Sequence, residues 1–231
     1  MFDALSPDEW DAIVLSLKVG LVSVAVSLPF GLFFAWLLAR REFPGKSLLD
    51  GVIHLPLVVP PVVVGYLLLV LLGRKGLIGE PMFDWFGITV AFRWQGAAIA
   101  SAVMGFPLMV RAIRLSLDSV DRGLESAART LGAGPFDVFR SVTLPLIAPG
   151  ILTGVILAFA RSLGEFGATI TFVSNIPGET RTLPIALYTY TQIPGGDLLA
   201  FRLAGIAVIL ALVALMVSEL MARRIRARLE K

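Results

Sequence analysis

Five apolar stretches, at about 12–39, 52–73, 94–113, 144–173 and 201–222, dominate the sequence and restrict what it can become. Each supplies the ~20 helical residues needed to cross a hydrocarbon layer about 30 Å thick. None shows the alternation in pieces of about ten residues that marks an outer-membrane barrel strand. Composition agrees, with 57% of residues hydrophobic and 16% charged, against about half and about a quarter in soluble domains. The expected fold class is therefore all-α, a polytopic integral membrane protein of about five transmembrane helices. Residues 1–231 read as a single transmembrane domain.

Several chemistries drop out at once. Cysteine is absent and histidine occurs once, which removes disulfides, thiolate metal sites and a multi-histidine metal centre. An intramembrane enzyme would need a nucleophile with its base, or paired carboxylates, and neither is apparent. No G-x-x-x-x-G-K-[ST] phosphate loop occurs, so the chain is not expected to hydrolyse ATP. The opening MFDALSPDEWDA is acidic. It lacks the basic region of a secretory signal, so the first stretch is expected to stay in the mature protein.

Basic residues set the expected orientation. If five spans alternate, the loops 40–51 and 114–143, the end of the third span and the tail after 222 share one side, with thirteen Lys and Arg. The other side has five: Arg74, Lys75, Arg93, Arg181 and Arg202. The positive-inside rule puts the thirteen in the cytoplasm, with the N-terminus outside and the C-terminus inside. Within that cytoplasmic side, residues 118–143 have an order of their own. Val120, Leu124, Ala127, Ala128 and Leu131 form an apolar stripe at helical spacing. Gly132 and Gly134 signal a sharp stop, Pro135 suits the first turn of a second short helix, and Pro145 suits the first turn of the fourth span. The expected product is a helix–turn–helix elbow in which a charge at Gly132 would not fit. Periodicity alone is equally consistent with an amphipathic hairpin lying on headgroups.

Spacing favours the elbow. Glu125-Ser126-Ala127-Ala128, three residues, Gly132, nine residues, then Val142-Thr143-Leu144-Pro145 resembles the EAA motif of ABC-importer permeases, departing from it at Ser126 and Val142. By that resemblance the elbow docks into a separate ABC ATPase. The segments 55–69, 105–121, 159–184 and 192–196 are similar to those of molybdate-importer permeases, and the likeness covers nearly the whole chain. Sulfate and thiosulfate permeases share the elbow and the Arg161-x-x-Gly-Glu165-Phe-Gly segment, so sulfate, thiosulfate and tungstate remain alternative cargoes. An ATPase-independent secondary transporter or channel is the alternative from a different class. The resemblance implies a type I importer fold and a homodimer in the bacterial cytoplasmic (inner) membrane. It implies an ATPase dimer that binds ATP and Mg, and a periplasmic or extracellular oxyanion-binding protein. No cofactor on this chain and no nucleic-acid partner is expected.

Other residues are candidates on direct reading. Arg161 and Glu165 are ionisable groups inside the fourth stretch, where such groups are costly and often functional. They are expected either to lock helices together or to act in the pathway. Pro60 and Pro61, with Pro56, are expected to kink or break the second span near its cytoplasmic end, as packing or as a gate. Arg74, Lys75, Arg93 and Arg181 are outer-side candidates for contact with the binding protein, and the aromatic cluster from Phe83 to Trp94 reads as an interface belt. His54 reads as an interfacial residue. Gly150 and Gly154 allow close helix approach, within the chain or between copies. The tail ARRIRARLEK is expected on anionic headgroups.

Overall fold

Ser6 opens the first helix. Its hydroxyl accepts the Glu9 N–H while the Glu9 carboxylate accepts the Ser6 N–H, a reciprocal cap that fixes where α1 (Pro7–Arg40) begins. The computed structural model describes residues 5–229, apart from the side chains of 218, 219 and 221–229, so the expected headgroup contact of the basic tail lies outside the described residues. Ten further helices follow: α2 (Lys46–Val58), α3 (Pro61–Leu72), α4 (Gly79–Phe86), α5 (Trp94–Ser119), α6 (Arg122–Thr130), α7 (Pro135–Val138), α8 (Leu144–Leu163), α9 (Gly167–Val173), α10 (Leu183–Thr191) and α11 (Asp197–Leu229). A π turn over Phe139–Thr143 joins α7 to α8.

Four helical runs are long and apolar enough to cross a membrane, and the bent pair α2/α3 makes a fifth crossing if counted as one. The fold is the expected all-α membrane architecture. Two of the expected spans are not continuous. At Val59-Pro60 the second turns through 115° between α2 and α3, far beyond a kink. Pro60 and Pro61 are adjacent, so two successive backbone donors are missing and the hydrogen-bond ladder cannot carry across. The fourth ends at Leu163, and α9 starts only after Gly164–Phe166.

The long α5 is the central element, packed along α1 on one side and α8 on the other. One core cluster joins Val19, Val64, Ala97, Ala98, Ala100, Met104, Ala168 and Phe172 near the N-terminal end of α5. A second joins Leu38, Ile53, Met109, Ile113, Leu117 and Ile147 toward its C-terminal end. Lipid is as apolar as leucine, so packing here rests on close van der Waals contact and small residues. Gly150 and Gly154 serve that purpose within the chain. Cβ atoms placed there would lie 2.2 Å from Ser116 Cβ and 3.0 Å from Met109 O on α5.

Polar residues inside the bundle are used as ties. Ser16 accepts the Leu183 N–H at 2.7 Å, holding α10 against α1. Glu9, fully buried, is held by Arg202 of α11, with Nε at 2.9 Å from Oε1 and Nη2 against Oε2. Lys18 lies over the Trp94 ring at 3.6 Å, which explains how a lysine sits inside the first span.

Candidate functional site

The elbow projects where α1 and α5 end. Asp121 caps α6, its carboxylate accepting the Gly123 N–H at 2.8 Å. Gly132 then takes φ +90°, a conformation that other residues rarely adopt. A β-carbon there would meet nothing within 4 Å, so the turn is limited by backbone conformation and not by volume, contrary to the expectation from sequence.

Pro135 starts α7 and Pro145 lies in the first turn of α8, both as expected, but the two helices are not separated. From Pro135 to Leu163 the chain is one helical rod. The π turn over Phe139–Thr143 widens the backbone just before Pro145. That relieves the clash a proline ring makes with the carbonyl four residues earlier. The second arm of the elbow is thus continuous with the fourth span.

Of the motif residues, Ala127 and Ser126 are exposed, Ala128 and Leu144 are partly buried, and Glu125 turns inward. Glu125 Oε1 lies 3.0 Å from Arg40 Nη2 and accepts the Thr143 hydroxyl at 2.8 Å, with both charged side chains nearly buried. Three elements therefore meet on one carboxylate: the end of α1, the elbow, and the root of α8. Sequence reading missed Arg40 and Thr143 as partners, because a pairing across 85 residues leaves no local signal. The elbow's apolar side, by contrast, is open. Leu124 is 49%, Leu131 88% and Phe136 71% exposed.

A second constellation forms where the two broken helices meet. Arg161 Nη1 and Glu165 Oε2 are 2.6 Å apart. Glu165 is buried, and its Oε1 accepts the Ala168 N–H at 2.8 Å, capping α9. A β-carbon on Gly167 would stand 2.8 Å from Pro61 Cβ. The structure thus gathers Arg161, Glu165 and Pro61, with adjoining Pro60, at one junction. The ion pair is local to the α8–α9 break and does not join two distant helices.

The other candidates are dispersed by comparison. Arg74 lies over the Phe83 ring at 4.2 Å, and Lys75 and Arg93 are exposed. Arg181 Nε donates to Asn175 Oδ1 at 2.7 Å, within a turn fastened to α5 by Glu179, which accepts the Trp94 N–H at 3.3 Å. His54 joins a charged cluster between α2 and α5. Its Nδ1 is 3.2 Å from Asp50 Oδ1, and Arg114 Nη1 is 3.2 Å from Asp50 Oδ2. At the α1–α2 turn, the hydrogen bond from Lys46 holds the exposed Glu42 carboxyl below its usual range. No group of three or more metal-ligating side chains occurs among the described residues.

A helical membrane chain with a polar elbow continuous with one span is a defined architecture, and comparison with known proteins identifies it. Residues 27–230 match the model of the family described as binding-protein-dependent transport system inner membrane component. The chain belongs to that family. Within it, the chain is 66% identical over 224 residues to the molybdenum transport system permease protein ModB of Escherichia coli (strain K12), covering 97% of this chain and 98% of the relative. It is 57% identical to ModB of Haemophilus influenzae, covering 96% of each. Among solved structures, inward-facing MetNI, a methionine ABC transporter, aligns with a TM-score of 0.68 at 16% identity over 94% of each chain. At that identity the match establishes the fold. The family's members are transport components of the inner membrane.

Proposed function

We propose that this chain is the membrane-spanning permease of an ABC importer that carries molybdate into the bacterial cytoplasm, energised by a separate ATPase dimer that binds ATP and Mg. The observation carrying the coupling role is the elbow itself. Its apolar side is uncovered at Leu124, Leu131 and Phe136, while its base is clipped by Glu125 to Arg40 and Thr143. Large apolar groups left open on a short projection require a partner to cover them. The continuous rod from Pro135 to Leu163 gives that partner a lever into the bundle. Similarity to the ModB proteins supports molybdate as the cargo.

The remaining parts follow the same reading. Five spans are few for a complete pathway, so two copies share one pore about a two-fold axis. The elbow lies in the cytoplasm and the N-terminus outside, a reading supported by the thirteen basic residues on the elbow's side. Arg161, Glu165, Pro60 and Pro61 form the gate region, since two helix breaks abut there beside an ion pair. Arg74, Lys75, Arg93 and Arg181 face the oxyanion-binding protein on the outer side.

The decisive experiment is uptake of labelled molybdate by cells lacking their own system and given this chain with its ATPase and binding protein. Uptake that resists excess sulfate and disappears without the ATPase is the expected result. Competition by sulfate would move the cargo to that branch. Uptake that persists without the ATPase would overturn the importer reading.

A further inference from the structure

A cavity of about 610 Å³ opens between the end of α1 and the elbow, and its wall is unusually basic. Arg40, Arg41, Arg122 and Arg129 line it, against a single carboxylate, Glu125. That carboxylate is already engaged by Arg40 and Thr143. Among the described residues no acidic group lies within ion-pair distance of Arg41, Arg122 or Arg129; the exposed Glu42, held by Lys46, feels the charge of Arg122 only as a weaker, longer-range attraction. Arg41 instead lies over the Trp36 ring at 5.4 Å. Three guanidinium groups converging on one hollow repel one another, and the arrangement calls for an anion.

The neighbouring surface of α1 says which kind. Phe30 and Phe33 are 58% and 54% exposed and face away from the bundle. Trp36 and Leu37 follow along the helix, both half-buried and Trp36 packed partly against the core, and Arg40 and Arg41 end it at the cavity. A stripe of outward-facing rings, an interfacial tryptophan and then paired cations is the order of chemistry along a phospholipid: acyl chain, interface, phosphate. A free inorganic anion would use the arginines and leave the stripe without a role. We propose that this basin binds the phosphate headgroup of an anionic phospholipid, whose acyl chains lie along Phe30 and Phe33. Basic pockets between helices at the cytoplasmic surface take such headgroups.

The consequence is regulatory. One phosphate would join Arg122 and Arg129 on α6 to Arg41 at the end of α1. It thereby reinforces the Arg40–Glu125 clip and sets the elbow's pose. This second step rests on the coupling role proposed above; the binding step does not.

The test uses the chain with its ATPase subunits, purified and exchanged into phosphatidylglycerol or phosphatidylcholine, with retained lipid counted by native mass spectrometry. Phosphatidylglycerol is expected to be retained in preference, and Arg41→Gln, which lies off the elbow, to weaken that preference roughly fivefold. Arg122→Gln with Arg129→Gln is expected to weaken it about thirtyfold, while Lys46→Gln, basic but outside the basin, leaves it intact. Equal retention of both lipids, or an unchanged preference in all the basin variants, overturns the proposal. Displacement of the lipid by inorganic phosphate overturns it in favour of a free-anion site. A preference that appears only after the ATPase is removed shows that an acidic side chain of that subunit fills the basin, and overturns it as well. ATPase stimulation by phosphatidylglycerol is the second readout. If the lipid preference is present but ATPase activity ignores elbow variants, the coupling reading fails and the lipid site stands.

Discussion

The contact between α3 and α9 gives the sharpest quantitative prediction. At Gly65 a β-carbon would stand 2.4 Å from Ala168 O, 2.9 Å from Ala168 Cα and 2.9 Å from Thr171 Cβ. Ordinary contact begins at 3.4 Å, so Gly65→Ala must drive the helices apart by 1.0 Å (3.4 − 2.4). The obstructing atoms are two of backbone and one Cβ, none of which can rotate aside, which puts the overpacking cost near the top of the usual range, about 3 kcal/mol. Helix propensity returns about 1 kcal/mol, leaving a net loss of about 2 kcal/mol. Gly51, on the exposed side of α2, is the control. Nothing lies within 4 Å of its hypothetical β-carbon, so Gly51→Ala is expected to gain about 1 kcal/mol. The two variants, made by the same chemical change, are thus expected to differ by about 3 kcal/mol in opposite directions. Reversible unfolding in mixed micelles, titrated with a denaturing detergent and followed by tryptophan fluorescence, measures both. If Gly65→Ala is as stable as Gly51→Ala, close backbone packing of the broken helices is refuted. Because this contact adjoins the Arg161–Glu165 junction, Gly65→Ala is also expected to reduce uptake while the ATPase still co-purifies.

Three further outcomes are expected. Arg40→Ala leaves the nearly buried Glu125 with one hydroxyl donor; loss of a hydrogen bond to a charged group costs about 2 kcal/mol. Hydrogen exchange over 122–130 is expected to quicken by roughly thirtyfold, and unchanged protection would refute the clip. Gly132→Val forces a β-branched residue to φ +90° at about 1–3 kcal/mol; membrane insertion is expected to persist while ATPase co-purification and uptake fall. Arg202→Ala strands the buried Glu9 and is expected to cost about 3–5 kcal/mol. Adding Glu9→Gln is expected to recover part of that loss, and a double variant no more stable than the single would show that charge burial is not the cause.

The elbow was legible at the level of chain order. Gly132, Pro135 and the exposed stripe through Leu131 are local signals, and local chemistry is what a turn and an amphipathic helix require. The inward turn of Glu125 was not legible, because its partners Arg40 and Thr143 are set by where α1 ends in space. The same holds for Arg202, which the sequence gives only as one of five outer-side basic residues and which the structure pairs with buried Glu9. Hydropathy also smoothed over the breaks. Residues 144–173 are apolar on average despite Arg161 and Glu165, and a window average cannot register three non-helical residues at Gly164–Phe166.

The sequence by itself determined the solvent, the fold class and the approximate extents of the membrane spans, since these depend on apolar length, proline and glycine along the chain. It also marked the elbow by spacing. Only the tertiary structure decided that the elbow's second arm is one rod with the fourth span, that the two interrupted helices abut at Pro61 and Gly167, and that four arginines from two distant segments share one hollow. Those depend on distances between residues far apart in sequence. Such distances are fixed by how small side chains let backbones approach and by which buried charges must find partners.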